Sequence, residues 1–391
     1  MGSQQPSASV VENTFAVQTT TIDSAIPLFI GYTEVQPETL PIFVTSFSDY
    51  EAHFGGPHTG NAVLYFTVKH YFDNGGQSGY IYSLGTYTEL DSGVPADIPA
   101  ALAGTKLAQV IAAEYKITLL AFPDITILSD SETVLWHQSW QIMLSFCRLR
   151  AGLFAVLDAP AAPEDAQRCL THYNGINSEW GGAWWPRLVT LYLKDGTRVM
   201  VPPSGAVLAM IQATDISSGI WSAPANKALF QVTRPSHSWL DATELFYSDA
   251  ASLNLIRSFP GRGTRVWGCR TLTVNSESSF RYVQVRRLVS WCETNISLLG
   301  RMFIFEPNNE ITWFKFKGVV TNWLRRLWLQ GGIYGLQEQE AFQVLLGLNE
   351  SMTQTDIQAG KMIMNIRLAV ISPAEFIELS LVFNMNADIS A

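Results

Sequence analysis

Short phrases rich in glycine, proline and tryptophan punctuate the chain from Val201 to Asn308. Val201-Pro202-Pro203-Ser204-Gly205 is followed by Gly219-Ile220-Trp221 and Ala223-Pro224-Ala225-Asn226. Val266-Trp267-Gly268-Cys269-Arg270-Thr271-Leu272 and Phe305-Glu306-Pro307-Asn308 come next. Residues of these types fix backbone turns and fill close contacts. No acid–base pair or metal cluster accompanies them. A chain constrained in this way reads as one whose work is to fit against protein surfaces, copies of itself foremost.

Composition supports the same reading. Apolar residues make up 47% of the 391 and charged residues only 15%, against an average near roughly 25% charged. The 12 tryptophans and 21 phenylalanines belong to types enriched at interfaces. The charge is unevenly placed. Leu255–Gly331 holds 12 basic and 4 acidic residues, a local +8. The other 13 basic and 30 acidic residues give −17, and the two parts make the chain's −9. A basic segment in an acidic chain suggests contact with an acidic surface, such as nucleic acid, another protein or another copy.

Charges such as Arg148 and Arg150 break the longest apolar stretches, so none reaches the ~18 residues of a membrane span. The stretch Met1–Asn13 is polar and lacks the apolar centre of a signal peptide. Cys147, Cys169, Cys269 and Cys292 stand far apart with no C-x-x-C. Buried reduced thiols in a protein made in the cytoplasm are the expectation.

Along the chain, residues 1–23 read as an extended arm in which Phe15 and Val17 alternate with polar neighbours. Ala25–Tyr32 and Ile42–Thr45 read as strands, and Ser48-Asp49-Tyr50-Glu51 as a capping box opening a short helix. A helix over Asn61–Asn74 and a strand over Gly79–Leu84 follow. Residues 86–105, rich in Pro, Ala, Gly and Asp, read as a linker. Ile117–Ala121, Ser131–Arg150 and Leu153–Leu157 then form a βαβ unit with parallel strands, and Pro163–Tyr173 a further helix. Asp195-Gly196 predicts a hairpin between Leu188–Lys194 and Thr197–Val201. Ser204 caps a helix reaching about Ala213. Phe280–Val285 alternates like a strand before a helix over Leu288–Leu299. In the helix predicted over Ile311–Gln330, Phe316, Val320, Trp323, Leu324 and Leu327 share one face. Lys315 and Arg326 border that face on one side, Lys317 and Arg325 on the other. Phe342–Leu348 and Met362–Ile371 read as strands. Ile377, Leu379, Leu381 and Phe383 alternate in a last extended segment, Phe376–Phe383.

Chemistry has little to stand on. None of the six histidines falls in a metal-binding spacing, no Walker loop is present, and Gly261-Arg262-Gly263 reads as a tight turn. Asp124, His137 and Ser204 occur in an order that serine proteases use. Yet Ser204 lacks the G-x-S-x-G elbow, and three common residues in order carry almost no information. No cofactor is expected. The basic stretch carries no nucleic-acid-binding motif.

Taken in order, the phrases resemble those of the contractile tail sheath family of phages and injection systems. Ser24–Thr33, Phe54-Gly55-Gly56, Tyr71–Gly76, Leu157-Asp158-Ala159-Pro160 and Trp185-Pro186 precede the stretch Val201–Asn226, which is the most specific. Asn254–Leu272, Phe305–Asn308, Gly331–Gly335 and Pro373–Ile377 complete the series. The family's N-terminal Pro-Gly-Val-Tyr phrase is replaced here by Val10-Val11-Glu12. The resemblance implies a mixed α+β and α/β multidomain fold. It would have a subtilisin-like α/β middle domain without catalysis and a C-terminal α+β domain, completed by the N-terminal region, that faces an inner tube. Extended terminal strand arms would join neighbours.

The corresponding division is an arm over 1–23, a β-rich region over 24–105, an α/β domain over 106–254, a tube-facing domain over 255–375 and a strand arm over 376–391. Implied tube contacts are Lys315, Lys317, Arg325 and Arg326. Implied inter-subunit strand residues are Phe15, Val17, Ile377, Leu379, Leu381 and Phe383. The implied partners are other copies, an inner tube protein, baseplate proteins and tail-terminator proteins, with no nucleic acid and no membrane insertion. The implied setting is a phage tail, or a particle assembled in a bacterium and released from it; the short chain favours the particle. A serine hydrolase on the same core and a non-contractile shell protein are the alternatives.

Overall fold

In the computed structural model, which describes residues 23–58, 62–91, 98–172, 178–238, 240, 245, 251–274, 278–371 and 377–384, the first apolar run forms strand β1 (Pro27–Thr33), buried along its whole length. After it come β2 (Ile42–Val44), β3 (Gly79–Thr86), β4 (Leu119–Ala121), β5 (Phe154–Asp158) and β6 (Gly181–Trp185). Strands β7 (Leu188–Lys194), β8 (Thr197–Val201) and β9 (Val232–Pro235) make a small separate sheet in the order β8-β7-β9. Then β10 (Asn254–Phe259) and β11 (Gly263–Val266) rejoin the first sheet. Its eight strands run in the order β11-β10-β6-β5-β4-β1-β3-β2. The six central strands are parallel, and β11 and β2 close the ends antiparallel. This sheet crosses the division drawn at residue 105, because β1 lies between β3 and β4.

The helices of eight residues or more among the described residues are α1 (Phe47–Phe54), α2 (Val63–Asp73), α3 (Thr105–Ala113), α4 (Thr133–Phe146), α5 (Pro163–His172), α6 (Ser204–Ser218), α7 (Val283–Arg301) and α8 (Glu310–Leu329). A parallel sheet needs cover on both faces, so its strands are apolar throughout rather than alternating. In β1, Leu28 and Ile30 face the cluster that holds Leu107, Trp136, Trp140 and Cys169 from α3, α4 and α5. Phe29 faces the opposite cluster, which holds Phe54, Leu64, Tyr71 and Leu208 from α1, α2 and α6.

Several of the phrases prove to be fixtures of this layer or of its junction with the C-terminal part. Gly205 lies where an added Cβ would stand 2.5 Å from the Thr67 carbonyl oxygen, so α2 and α6 approach this closely only with glycine there. Gly219 ends α6 with φ 89°, and the Trp221 ring lies where a side chain would go. Asn226, also at positive φ, donates its N–H to Val266 at 2.7 Å. Asn254 ties the strands together, accepting from the Arg270 N–H and donating to the carbonyl groups of Arg270 and Ala183.

C-terminal to this layer, β12 (Phe342–Leu345), β13 (Lys361–Leu368) and β14 (Ile377–Asn384) form an antiparallel sheet. It packs with α7 and α8 around Leu288, Ile296, Phe316, Leu324, Met364 and Ile366.

Several expectations change. Phe280–Val285 is not a strand: Tyr282 makes a single bridge to Arg270, and Val283 and Val285 open α7, Val283 packing on the eight-stranded layer and Val285 in the C-terminal core. Two residues apart on a helix point to nearly opposite sides, so an apolar pair at this spacing at a helix start, buried on two sides, looks like the alternation of a strand. The short helix α1 is capped by Ser46, whose side chain accepts from the Asp49 N–H, and not by Ser48. The supposed linker contains helical turns at Tyr87–Asp91 and Ile98–Leu102, and Ile98 and Leu102 are buried. The residue before α6 is Pro203, and Ser204 makes no capping bond. Phe15 and Val17 lie outside the described residues. Ile377, Leu379, Leu381 and Phe383 lie in β14, paired with Leu368, Ile366, Met364 and Met362.

Candidate interaction surfaces

The three residues of the hydrolase alternative have separate surroundings. Asp124 is fully buried, and its Oδ2 accepts the Tyr32 N–H at 2.6 Å. Burial pushes its carboxyl up to about 7, against the pull of backbone bonds from Tyr32 and Leu64. Ser204 is 0% exposed, and its N–H donates to Asp158 Oδ1 at 2.9 Å. His137 is half-buried on α4. A nucleophile must reach its substrate, and the Ser204 side chain has no such access. Among the described residues no group of three His, Cys, Asp or Glu stands where it could hold a metal ion. No helix among them is long and apolar enough to cross a membrane.

The helix α8 has two faces. Asn309 caps it, its side chain accepting from the N–H groups of Ile311 and Thr312. Asn308 clamps its first turn to β13: Oδ1 accepts from Trp313 Nε1 at 2.7 Å and Nδ2 donates to the Lys361 carbonyl. Phe316, Val320, Trp323, Leu324 and Leu327 are buried as the spacing predicts. The opposite side carries Ile311, Phe314 (81% exposed), Lys315, Gly318, Asn322, Arg326 and Leu329. Tyr334 and Leu336 are also exposed just beyond its end.

The four candidate cations separate by border. Lys317 pairs with Glu350 at 3.0 Å. Arg325 grips Glu338 through two nitrogens, Nη2 lying 2.9 Å from Oε1. These two therefore fasten the helix to its own domain, while Lys315 and Arg326 lie on the exposed side. Sequence spacing finds both borders. It does not find their partners, which come from the segments around β12, outside the helix.

A second site joins the two layers. Arg287 on α7 and Asp215 on α6 form a bidentate pair at 3.0 and 2.6 Å, with side chains 2% and 4% exposed. Ser24 completes it: its carbonyl accepts from Arg287 Nη2 at 2.9 Å and its hydroxyl donates to Asp215 at 2.5 Å. A cavity of about 440 Å³ lies beside them, lined by Asp23, Gln212, Trp221 and Trp291 among others. The described chain enters the fold here. The signal in the sequence was weak, a single arginine and a single aspartate 72 residues apart.

Residues 275–384 match the family described as the phage tail sheath C-terminal domain. The chain is 28% identical over 137 residues to the tail sheath protein of Vibrio phage KVP40. That match covers 34% of the chain and only 20% of the phage protein. A chain in the contracted-state baseplate of the anti-feeding prophage is 37% identical, with 98% of this chain and 100% of that one covered and a TM-score of 0.82. A chain of the contracted PVC sheath complex, an extracellular contractile injection system, is 28% identical with a TM-score of 0.74, covering 97% of this chain and 98% of that one.

Proposed function

Because the chain belongs to the contractile tail sheath family, we propose that it is a sheath subunit of an extracellular injection particle and drives an inner tube outward when the sheath contracts. The observation that carries this reading is the full-length likeness to chains of contracted assemblies. Extended sheath would be a kinetically trapped state released at the baseplate. Subunits would rotate as rigid bodies, bury more surface between layers and shorten the sheath. This scheme draws on energy stored in the assembly and calls for no nucleotide. The eight-stranded layer would be the subtilisin-like domain.

The terminal strand arms would link the copies. In the described chain β14 closes its own sheet against β13 through eight register pairs. The same strand, carried by the preceding connection to a neighbour's β13, would make the same main-chain bonds between subunits. Links of this kind hold copies together while they move.

The exposed side of α8 would meet the tube. Lys315 and Arg326 supply charge for acidic tube groups, and Ile311, Phe314 and Leu329 supply apolar contact. Lys317 and Arg325 would support that face from within the subunit. Many charged contacts of modest strength suit a grip that holds and then lets go. Combined Lys315→Glu and Arg326→Glu should lower co-sedimentation with the tube by at least about tenfold at low salt, while the purified subunit melts as the parent does. Unchanged tube binding would remove α8 from the tube contact.

A further inference from the structure

We propose that the acidic end of the eight-stranded sheet in one copy docks on the basic end of the same sheet in the next copy, a step that rests on the sheath reading above and names the surfaces that meet. The two ends, β2 and β11, are the outermost strands of one sheet, about 34 Å apart at the usual strand spacing.

The β2 end is acidic. No lysine or arginine occurs before Lys69, and residues 24–68 contain Glu34, Glu38, Asp49 and Glu51. Glu34 and Glu51 are exposed. Glu34 accepts from the Gly56 N–H and Glu51 from the Tyr65 hydroxyl, and among the described residues no lysine or arginine pairs with either. Val35 and Phe43 stand exposed among them.

The β11 end is basic. The described segments 226–238 and 251–274, which supply β9, β10, β11 and the cover at 226–229, contain six Lys and Arg and no Asp or Glu. Arg257 and Arg265 stand directly opposite each other across the β10–β11 ladder, a placement in which like charges destabilise a strand pair. Arg262 joins them from the turn. The Arg257 guanidinium lies over the rings of Phe259 and Trp267 at 5.2 and 5.9 Å, and that of Arg262 over Phe259 at 6.0 Å. Arg265 is fixed by the carbonyl groups of Arg262 and Asn226, and Arg262 by the Asn226 side chain. These bonds satisfy donors without neutralising charge. Among the described residues no carboxylate pairs with Arg262 or Arg265. The outer edge of β11 is closed by segment 226–229, bonded to Thr264 and Val266, so a partner meets this end through side chains and not through an added strand.

Two complementary patches at opposite ends of one sheet make a heterologous contact. Such a contact leaves one patch of each kind open after every addition, and it builds rings or helices and not closed pairs. A second copy is the occupant that supplies the missing anions with matching apolar cover. Docking would bring carboxylates to Arg262 and Arg265, and so offset the like charge that faces Arg265 across the ladder.

The test uses three full-length variants: Arg262→Glu with Arg265→Glu, Glu34→Lys with Glu51→Lys, and all four changes together. Each is first checked for a parent-like circular dichroism spectrum and melting transition. Either pair of reversals should raise the concentration needed for polymer formation by at least about tenfold. The fourfold variant, whose ends are complementary again, should polymerise. So should an equimolar mixture of the two pair variants. Pair variants that polymerise like the parent would overturn the docking and leave the sheath reading standing. Loss without rescue in the fourfold variant or the mixture would also overturn it, as would a basic end whose reversal abolishes oligonucleotide binding and leaves polymerisation untouched. A parent chain that never polymerises would instead count against the sheath reading itself.

Discussion

Replacing Arg287 with methionine is expected to lower the unfolding free energy by about 3–5 kcal/mol, because it leaves a buried carboxylate without its cation. Asp215 would keep only the Ser24 hydroxyl as a partner from this cluster. Its side chain sits at 4% exposure beside the cavity, where water replaces the guanidinium only in part. Methionine fills a similar volume, so the loss reports the stranded charge more than a cavity. Adding Asp215→Asn to Arg287→Met should recover part of the loss by removing that charge. Urea unfolding followed by tryptophan fluorescence measures each step. A loss below about 1 kcal/mol, the worth of an exposed pair, would mean that the joint between α6 and α7 is more open to water than its geometry states.

The pH dependence of stability should carry the mark of Asp158. Burial raises its carboxyl from 3.8 to about 7, against the pull of the Ser204 bonds and Arg187. A folded pKa above the unfolded one means that the unfolded chain ionises first as pH rises. Stability from this group is therefore complete below about pH 4, declines from there to about pH 7 and is flat above. The whole change is about 4 kcal/mol. Asparagine at 158 keeps the acceptor for the Ser204 N–H and does not titrate. The stability of Asp158→Asn relative to the parent should therefore rise by about 4 kcal/mol from pH 4 to pH 7. His70 acts in the opposite sense. Burial holds it down at about 4, against Asp73, so its share is lost as pH falls from 6.5 through 4. Being present in both proteins, it cancels in the difference. A difference that stays flat across this range would show that Asp158 is ionised in the folded chain.

How much of this was legible in the sequence depended on whether the signal was local. The Asp195-Gly196 hairpin was, because both residues take the positive φ that such turns require. So was the buried face of α8, where one helical period selects the right five residues. Strand β6 was missed, since Gly181-Gly182-Ala183-Trp184-Trp185 has no β-branched residue and is buried throughout. Only its neighbours make it a strand: an added Cβ at Gly182 would meet the Arg270 carbonyl at 2.9 Å. The four cations of α8 looked alike because their partners are set by tertiary contact. Glu350 selects Lys317 and Glu338 selects Arg325, while Lys315 and Arg326 lie on the exposed side. The charge asymmetry could be counted from the sequence. Its placement at opposite ends of one sheet required the strand order, which no local pattern encodes.

The most direct test of the central claim is electron microscopy of the purified chain, alone and expressed with its neighbouring genes. The sheath account predicts stacked rings or helical tubes of one diameter, and two lengths when the tube and baseplate partners are present. Dispersed subunits under every condition would contradict it, and a single fixed length would fit a shell that does not contract.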